Sequence, residues 1–306
     1  MHRPVLYQEI IHALSPQRGG YYVDATLGAG GHARGILEAS SPDGRLLGLD
    51  VDPQALELAR EQLSAFSTRA ILVRASYTSL SKQLAELGWT AVEGILLDLG
   101  VSSMQVDTAE RGFSFHADAP LDMRFDPENP LRAVDLVNEL DEDELADLLY
   151  TYGEEQRARQ VARAIVKTRP LYTTRQLAQV VSTATRSGRP GMHPATRTFQ
   201  ALRIAVNGEL DALEQVLPQA VAALAEGGRL ALISFHSLED RIVKQYFRTE
   251  SQDCVCPPRQ PVCTCGHRAT LHLVNRRPIQ PQPAEIQENP RSRSARLRVA
   301  VKLAII

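Results

Sequence analysis

Residues 21–33 read YYVDATLGAGGHA and join a short apolar run to a glycine-rich turn and then to a helical pattern. The run from Tyr21 to Ala25 is too short for a helix and shows no polar alternation, which is typical of a strand covered on both faces. Gly28, Gly30 and Gly31 follow it, and glycines at a strand-to-helix turn let the backbone approach a ligand. This segment therefore predicts the first strand and the ligand-binding turn of a parallel α/β sheet.

Three further apolar runs continue the same pattern, and helical segments separate them. The runs are Arg45 to Asp50, Ala70 to Arg74 and Gly94 to Asp98. Asp52 and Pro53, after the second run, are typical of a helix N-cap and a first helical residue. Alternating strands and helices of these lengths predict a doubly wound α/β domain.

From about Thr108 to Pro194 the strand signal is absent and helical patterns replace it, at Gln156 to Lys167 and again from Thr174. The α/β pattern then resumes with a long helix through Phe199 and Leu213, ended near Pro218. Gly227 and Gly228 are expected to close a short helix before a strand from Arg229 to Phe235, and Ser237 to Asp240 form a capping box. The sequence thus predicts a discontinuous domain, 1–107 and 195–306, with a helical insert at 108–194.

The composition excludes several classes of protein. The 306 residues include 43% hydrophobic residues, and 34 Lys+Arg nearly balance 36 Asp+Glu, which excludes a disordered or collagen-like chain. No apolar run approaches the roughly 18 residues that span a bilayer. Because the first residues also lack the apolar core of a secretory signal, we expect a cytoplasmic protein without membrane partners.

Charge is segregated along the chain although the net charge is only −2. Residues 107–155 carry 15 acidic and 3 basic side chains, whereas residues 156–203 carry 10 basic side chains and no acidic one. Residues 268–306 carry 8 basic and 2 acidic side chains. A solvated helix face could also be basic, but a window of 48 residues without a carboxylate favours a surface that binds a polyanion.

Asp24 decides between two kinds of ligand for the glycine turn. Gly28-x-Gly30-x-x-Ala33 formally matches the dinucleotide fingerprint, and Asp50 at the end of the second run suits ribose hydroxyls. In a dinucleotide site, however, a carboxylate at the strand end would repel the pyrophosphate. A carboxylate there suits an ammonium or sulfonium group, as in S-adenosylmethionine, and an NAD-dependent oxidoreductase is the alternative.

Two later positions extend this site. Tyr77 follows the third run, where an aromatic ring can pack on an adenine face or simply be partly exposed. Asp98 ends the fourth run, at the carboxyl edge where open α/β sheets bind ligands. Between Leu99 and Val101 no helical pattern begins, so a helix-capping role for Asp98 is less favoured than a ligand-binding one.

Six strings spread over the chain resemble the MraW family of ribosomal RNA methyltransferases. They are Asp98 to Gln105 (DLGVSSMQ), Glu110 to Phe115 (ERGFSF), Pro120 to Arg124 (PLDMR), Phe199 to Ile204 (FQALRI), Ser234 to Arg241 (SFHSLEDR) and Asn289 to Arg293 (NPRSR). The resemblance implies a Rossmann-like S-adenosylmethionine-dependent methyltransferase domain with an inserted helical domain. It also implies a cytoplasmic bacterial enzyme that methylates N4 of a cytidine in the decoding region of 16S ribosomal RNA, in the small ribosomal subunit.

The resemblance also implies a set of cofactor contacts, which are Gly30, Gly31, His32, Asp50, Tyr77, Asp98 and Gln105, next to Gly28 of the same turn. Family members often have Phe where this chain has Tyr77, and stacking tolerates that change. Many enzymes that methylate exocyclic amines carry an Asp-Pro-Pro-Tyr-like string after the fourth strand, and this chain departs from it with Asp98-Leu-Gly-Val-Ser-Ser.

The reaction needs an acceptor for the amino group, because the N4 lone pair is delocalised into the ring. We hypothesise that Asp98 and Ser102 polarise the amine or receive its proton, although Ser102 equally suits a loop hydrogen bond. Phe113 and Phe115 are candidates for a clamp on an unstacked base or for core packing.

A non-catalytic RNA-binding assembly factor with the same fold is the alternative to a methyltransferase. The oligomeric state stays open between monomer and homodimer.

Contacts with the RNA backbone are expected from the two basic segments. His236 could line the RNA site or make a structural hydrogen bond. The expected basic contacts are Arg157, Arg159, Arg163 and Lys167 on the insert, and Arg291, Arg293, Arg296 and Arg298 in the tail.

All four cysteines lie within twelve residues, as Cys254-x-Cys256 and Cys263-x-Cys265. Four thiols this close in a reducing compartment are more typical of a tetrahedral structural zinc site than of disulfides. A C-x-C spacing is less usual than C-x-x-C, and His267 is an alternative ligand.

Overall fold

The chain forms two compact units in the computed structural model, which describes residues 4–185, 193–258, 260 and 262–304. The first unit consists of Met1–Gly100 and Leu210–Ile306, and the second of Val101–Glu209. The second unit is longer at both ends than the predicted insert, 108–194. Its extension arises because the helix before Gly208 buries Phe199 and Leu202 in the core of the helical unit.

A seven-stranded sheet organises the first unit in the order β3-β2-β1-β4-β5-β7-β6. The five strands β1 to β5 are parallel, and β7 pairs antiparallel with both β5 and β6. This confirms the predicted α/β fold class. The strands are β1 (Tyr21–Asp24), β2 (Arg45–Asp50), β3 (Ala70–Arg74), β4 (Val92–Asp98), β5 (Leu224–Ser234), β6 (Leu271–Leu273) and β7 (Arg296–Lys302).

Thirteen α-helices lie before, between or after these strands in the described residues. They are α1 (Tyr7–Leu14), α2 (Gly31–Ala39), α3 (Pro53–Gln62), α4 (Leu80–Glu86), α5 (Ser103–Asp107), α6 (Ala133–Glu139), α7 (Glu142–Gly153), α8 (Ala158–Thr168), α9 (Thr174–Thr185), α10 (Thr196–Asn207), α11 (Glu209–Ala223), α12 (Ser237–Glu250) and α13 (Pro283–Glu288). None of them, within the described ranges, combines the length and the apolar character that a bilayer crossing requires.

The sheet is covered on both faces, as its continuous apolar strands require. Side chains of α4, α11 and α12 form one core with the β-strand residues of one face, and side chains of α1, α2 and α3 form the other. Tyr22, Leu46 and Leu96 belong to the face covered by α2. Because side chains alternate along a strand, residues two positions further along point to that same face.

The register brings three strand ends together. Asp24 is the partner of Gly48 on β2 and of Leu96 on β4. Asp50 and Asp98 therefore lie two residues beyond the level of Asp24, at the carboxyl edge and on the face of the sheet that α2 covers. Open α/β sheets bind their ligands at this edge.

The second unit is helical, as the sequence predicts. The buried side chains of α8 are Ala158, Val161, Ala162 and Ile165, which lie on one face at helical spacing. They pack into a common core with side chains of α6, α7, α9 and α10. The helix starts at Ala158 rather than at Gln156, which is a small shift at its amino end.

Three predicted boundaries are wrong. The long helix predicted through Phe199 and Leu213 is divided by Gly208, whose φ of 59° is left-handed and ends α10, while Pro218 lies inside α11. Gly227 does not close a helix: it has a φ of 77° inside β5, beside a register shift between β4 and β5 that is typical of a β-bulge. The capping box of α12 is formed by His236 with Glu239, one residue earlier than predicted.

Candidate functional site

The glycine turn between β1 and α2 needs glycine at specific positions. Gly28 and Gly30 have φ values of 53° and 85°, in the left-handed region that side chains disfavour. Gly30 is the N-cap of α2, and a Cβ atom on Gly31 would lie 2.5 Å from Pro4 Cγ. The turn thus holds the backbone in a conformation that leaves N–H groups at the start of a helix, where anionic groups bind favourably.

Asp24 is the most deeply buried carboxyl group of the turn, with 1% of its surface exposed. The pKa of Asp24 is raised to about 7: burial is the largest cause, His32 and the hydrogen bond from the Thr26 N–H oppose it, and the charges of Asp98 and Asp50 contribute to the rise. The influence of the Asp98 and Asp50 charges on Asp24 follows from the strand register, which places the three acids at one edge of the sheet. They concentrate negative charge at one point of the sheet edge, which favours a positively charged ligand group.

Asp50 fixes the glycine turn to β2. Its Oδ2 accepts a hydrogen bond from the Gly28 N–H at 2.8 Å, and its Oδ1 accepts one from the Asp52 N–H at 2.9 Å. Burial raises the pKa of Asp50 to about 6, although these two hydrogen bonds oppose the shift. A carboxylate offers about four acceptor positions, so Asp50 keeps acceptor capacity for ribose hydroxyls.

His32 and Asp98 carry buried polar atoms that have no hydrogen-bond partner among the described residues. These atoms are His32 Nδ1 and Nε2 and Asp98 Oδ1. His32 Nε2 lies 3.6 Å from Asp98 Oδ2, which is beyond hydrogen-bond distance. Since buried polar atoms are nearly always paired in folded proteins, unpaired ones at a sheet edge indicate a site that a ligand completes.

Thr26 and Tyr7 belong to the same region, and sequence reasoning missed both. The Asp98 N–H donates to Thr26 Oγ1 at 2.6 Å, so Thr26 fixes the backbone at the end of β4. The Tyr7 ring stacks on His32 with centroids 6.1 Å apart. Thr26 could have been predicted as a site residue, because it lies two residues after an acid at a strand end. Nothing in the sequence indicates that Tyr7 contacts His32.

Tyr77 begins a 3-10 turn, Tyr77–Ser79, which starts three residues after the end of β3, and its ring is half-buried against the sheet core. This puts it where the sequence predicted, beyond the carboxyl end of a strand. Of the predicted cofactor residues, Gly28, Gly30, Gly31, His32, Asp50, Tyr77 and Asp98 all belong to the first unit.

Ser102 and Gln105 belong to the helical unit and cap α5. The Gln105 N–H donates to Ser102 Oγ at 3.2 Å, and the Ser102 N–H donates to Gln105 Oε1 at 3.0 Å. This reciprocal capping box gives Ser102 the loop hydrogen bond that was the alternative to catalysis. Their roles toward cofactor and substrate stay predictions.

The aromatic residues Phe113 and Phe115 pack within the helical unit. Phe113 stacks on Phe125 with centroids 5.5 Å apart, and Phe115 contacts Phe199 edge to face at 5.1 Å. Core packing therefore accounts for part of the contacts that each ring makes. His236 Nδ1 accepts a hydrogen bond from the Glu239 N–H at 3.4 Å, which is the structural role that the sequence allowed for it.

The basic residues predicted for RNA contact differ in exposure. Arg157, Arg159, Arg163 and Lys167 are exposed on or beside α8, as are Arg291 and Arg293 after α13. Arg157 donates to the Thr185 carbonyl, and Arg163 forms an exposed ion pair with Glu142 at 3.1 Å.

The prediction for Arg298 is wrong, because Arg298 lies in β7 with only 8% of its surface exposed. Its Nε donates to Asp240 Oδ1 at 2.7 Å, and Arg296 donates to Asp240 Oδ2 at 3.0 Å. Burial alone would raise the pKa of Asp240, but the hydrogen bonds and charges of the two arginines outweigh it and lower that pKa. Arg298 therefore neutralises a buried acid in this unit.

The raised pKa values predict how stability without ligand depends on pH. The unfolded chain releases the Asp24 proton near pH 4 and the folded protein only near pH 7, so between these values the folded state binds more protons and loses stability as pH rises. The Asp24→Asn variant should match the wild type near pH 4 and exceed its stability near pH 8 by a few kcal/mol, at about 1.4 kcal/mol per pKa unit. Urea unfolding of the ligand-free protein from pH 4 to 8 measures this.

Asp43→Asn is the matched control, because Asp43 is exposed. It should follow the wild type at every pH. A difference between Asp24→Asn and wild type that stays constant across the range would contradict the assignment of a raised pKa to Asp24.

The sheet order, the glycine turn and the acids at the carboxyl edge define a Rossmann-like α/β protein with a candidate ligand site after β1, β2 and β4. A family model described as the MraW methylase family matches residues 1–303. The chain therefore belongs to the MraW methylase family.

Similar proteins cover nearly the full length. A Geobacter sulfurreducens protein named ribosomal RNA small subunit methyltransferase H is 54% identical over 307 residues, which is 99% of each chain. A Dehalococcoides mccartyi protein of the same name is 52% identical over 99% of this chain and 86% of its own. Among solved structures, a Streptococcus thermophilus rRNA methylase matches with a TM-score of 0.44 and 11% identity over 99% of each chain.

Proposed function

We propose that this protein uses S-adenosylmethionine to methylate N4 of a cytidine in the decoding region of 16S ribosomal RNA. The observation that carries the proposal is the 54% identity, over 99% of both chains, to a protein named ribosomal RNA small subunit methyltransferase H. The choice of N4 and of the decoding region rests on the family resemblance of the six strings. An RNA substrate in the small ribosomal subunit implies a cytoplasmic place of action.

The residues of the first unit fit S-adenosylmethionine. Asp24, with Asp50 and Asp98 near it, supplies negative charge for the ammonium or sulfonium group, and the same charge would repel a pyrophosphate. This argues against the NAD-dependent alternative. The N–H groups at the start of α2 suit the carboxylate, Asp50 the ribose, and Tyr77 the adenine face.

Asp98 is the residue that we assign to the amino group of the substrate. The cofactor supplies a methyl group bound to a positively charged sulfur. Asp98 would accept a hydrogen bond from N4, which keeps the nitrogen lone pair available for an in-line attack on the methyl carbon. When the methyl group leaves the sulfur for N4, Asp98 would take up the one proton that N4 must lose and release it to solvent.

Supporting this role, Asp98 Oδ1 is buried and has no partner among the described residues, so it has acceptor capacity to spare. The Asp98 N–H donates a hydrogen bond to Thr26 Oγ1, and this bond fixes the backbone of Asp98. Ser102 is the secondary candidate for contact with the amine, and Gln105 is a further proposed cofactor contact.

The experiment that tests the proposal is methyl transfer from labelled S-adenosylmethionine to undermethylated small subunits and, separately, to free 16S RNA. Nucleoside analysis should find the label in N4-methylcytidine. Label in another nucleoside would keep the methyltransferase and reject the target. Cofactor binding without transfer to either substrate would favour the assembly-factor alternative.

The basic face of α8 predicts a separable effect on RNA binding. Arg159 and Lys167 are exposed on α8, two turns apart. The double substitution of Arg159→Glu and Lys167→Glu should weaken RNA binding by about tenfold, which is about 1.4 kcal/mol, and reduce its salt dependence. Cofactor affinity should not change, and filter binding at several salt concentrations measures the effect.

Arg18→Glu provides the control, since Arg18 is an exposed residue of the other unit with no predicted RNA contact. It changes charge without removing a proposed phosphate contact. The control reverses one charge and the α8 variant two, so a loss of binding free energy in the control of half or more of that in the α8 variant would reduce the effect to net charge. Unchanged affinity in the α8 variant would reject the surface.

A further inference from the structure

The loop from residue 251 to residue 270, between α12 and β6, lacks a core of its own. None of its described residues is buried, and Val262 is 70% exposed. Loops of this length without secondary structure are uncommon in compact domains, because few contacts offset the conformational entropy lost when the chain is ordered. Something other than apolar packing must therefore hold this loop in one conformation.

Hydrogen bonds close the base of the loop. The Thr270 N–H donates to the Glu250 carbonyl at 2.8 Å, and the Ala269 N–H donates to Asp253 Oδ1 at 3.2 Å. A ring nitrogen of His267 lies 3.1 Å from the Thr249 carbonyl. These contacts close the ends of the loop. At its tip, the Gln260 side-chain amide donates to the Val262 carbonyl at 2.9 Å and to Thr264 Oγ1 at 2.8 Å, and these bonds join residues of the tip only to one another.

At the tip, the four cysteine sulfurs converge. All four Sγ atoms lie within 4.8 Å of one another. Cys263 Sγ is 3.6 Å from Cys265 Sγ, which is 3.9 Å from Cys254 Sγ. With zinc–sulfur bonds of about 2.3 Å, the edge of a ZnS₄ tetrahedron is about 3.8 Å. These separations also far exceed the roughly 2.05 Å of a disulfide bond, and the cysteines are free.

Backbone N–H groups point at the same sulfurs. The Val255 and His267 N–H groups donate to Cys265 Sγ, and the Thr264 N–H donates to Cys256 Sγ, each at 3.5 Å. Hydrogen bonds of this kind stabilise thiolates and orient them as ligands. Because the His267 ring is directed to the Thr249 carbonyl, the four sulfurs form the ligand set without it.

We propose that Cys254, Cys256, Cys263 and Cys265 bind one Zn²⁺ ion that holds the tip of this loop. On binding, each thiol releases its proton to solvent and no group is oxidised. A closed set of four protein ligands leaves no open position for substrate, so the site is structural rather than catalytic. The sulfurs are too close together for the wider spacing that an iron–sulfur cluster requires.

Metal analysis of the full-length protein, purified under reducing conditions without chelator or metal-affinity resin, tests the proposal. We expect about one zinc and no iron per chain. The Cys256→Ser variant and the double variant Cys263→Ser with Cys265→Ser should each contain at least fivefold less zinc. Val262→Ser, a change in the same loop at an exposed position, should retain wild-type zinc.

Limited proteolysis provides the second readout. Removal of zinc should make residues 251–270 the first site of cleavage, while circular dichroism and thermal unfolding report that the rest remains folded. Wild-type zinc in the cysteine variants, iron instead of zinc, a disulfide, or protein that holds no zinc and takes up none after reduction would each overturn the proposal. These measurements need neither RNA nor cofactor, so they are independent of methyl transfer.

Discussion

Replacing Asp98 by asparagine is expected to lower the rate constant for methyl transfer by a factor of about 10² to 10⁴, the usual contribution of a positioned acid–base group. Asparagine keeps the shape of the side chain and can still accept a hydrogen bond, but it cannot take up the proton that N4 must lose. The backbone N–H of residue 98 keeps its bond to Thr26 Oγ1, so the end of β4 should be preserved. Single-turnover assays at saturating cofactor measure the effect.

Saturating cofactor is essential to this test, because Asp98 also contributes charge near Asp24 and its loss would weaken cofactor binding. Asp43→Asn, an exposed change in the same unit, serves as the control for purification and folding. If Asp98→Asn turned over within threefold of the wild type, the proton acceptor would have to be another group, with Ser102 as the next candidate.

The second large effect concerns cofactor affinity and pH. A positively charged ligand binds best when Asp24 is ionised, and its pKa of about 7 means that roughly a tenth is ionised at pH 6 and nine tenths at pH 8. The dissociation constant of S-adenosylmethionine should therefore fall about tenfold from pH 6 to pH 8. This dependence is opposite in direction to that of the ligand-free stability, because the ligand binds the charged form that folding disfavours.

Asp24→Asn should bind S-adenosylmethionine more weakly at pH 8 and lose most of the pH dependence. Isothermal titration calorimetry measures both, and adenosine, which has neither ammonium nor sulfonium, is the matched ligand control. Adenosine should show little dependence on Asp24 ionisation. The same slope for wild type and Asp24→Asn would show that another group, such as Asp50, titrates in this range.

The strands and the acids at their ends could be predicted because each depends on local sequence. Arg45–Asp50 and Ala70–Arg74 are predicted to the residue, since each is a continuous apolar run bounded by charged residues. Asp50 and Asp98 each follow such a run directly. The sequence therefore indicated both the edge of the sheet and the charge that collects there.

The missed boundaries had misleading local signals. Gly227 and Gly228 resemble a helix end, but the pairing of β5 with β4 keeps them in a strand. Pro218 resembles a helix stop, yet the chain tolerates it within α11 and breaks at Gly208. Contacts with distant parts of the chain determine each of these positions. Helix and strand propensities, which depend only on neighbouring residues, do not include such contacts.

Contacts between distant positions were equally beyond the sequence. Arg298 looked like one of several basic residues for a polyanion, because its partner Asp240 lies 58 residues away on α12. The stacking of Tyr7 on His32 and the close approach of Pro4 to Gly31 join the amino-terminal segment to the glycine turn in the same way.

The pairing of β4 with β5 also bears on the order in which the protein folds. The register partners Leu97 and Leu232 are 135 residues apart, whereas α7, α8 and α9 pack against their neighbours in the chain. Because distant pairings must overcome the entropy of closing the chain between them, they form later than local ones. The Leu99 N–H, bonded to the Ile233 carbonyl, joins these strands one residue after Asp98. We therefore expect the helical unit to gain protection from hydrogen exchange first during refolding, and the environment of Asp98 to assemble among the last events.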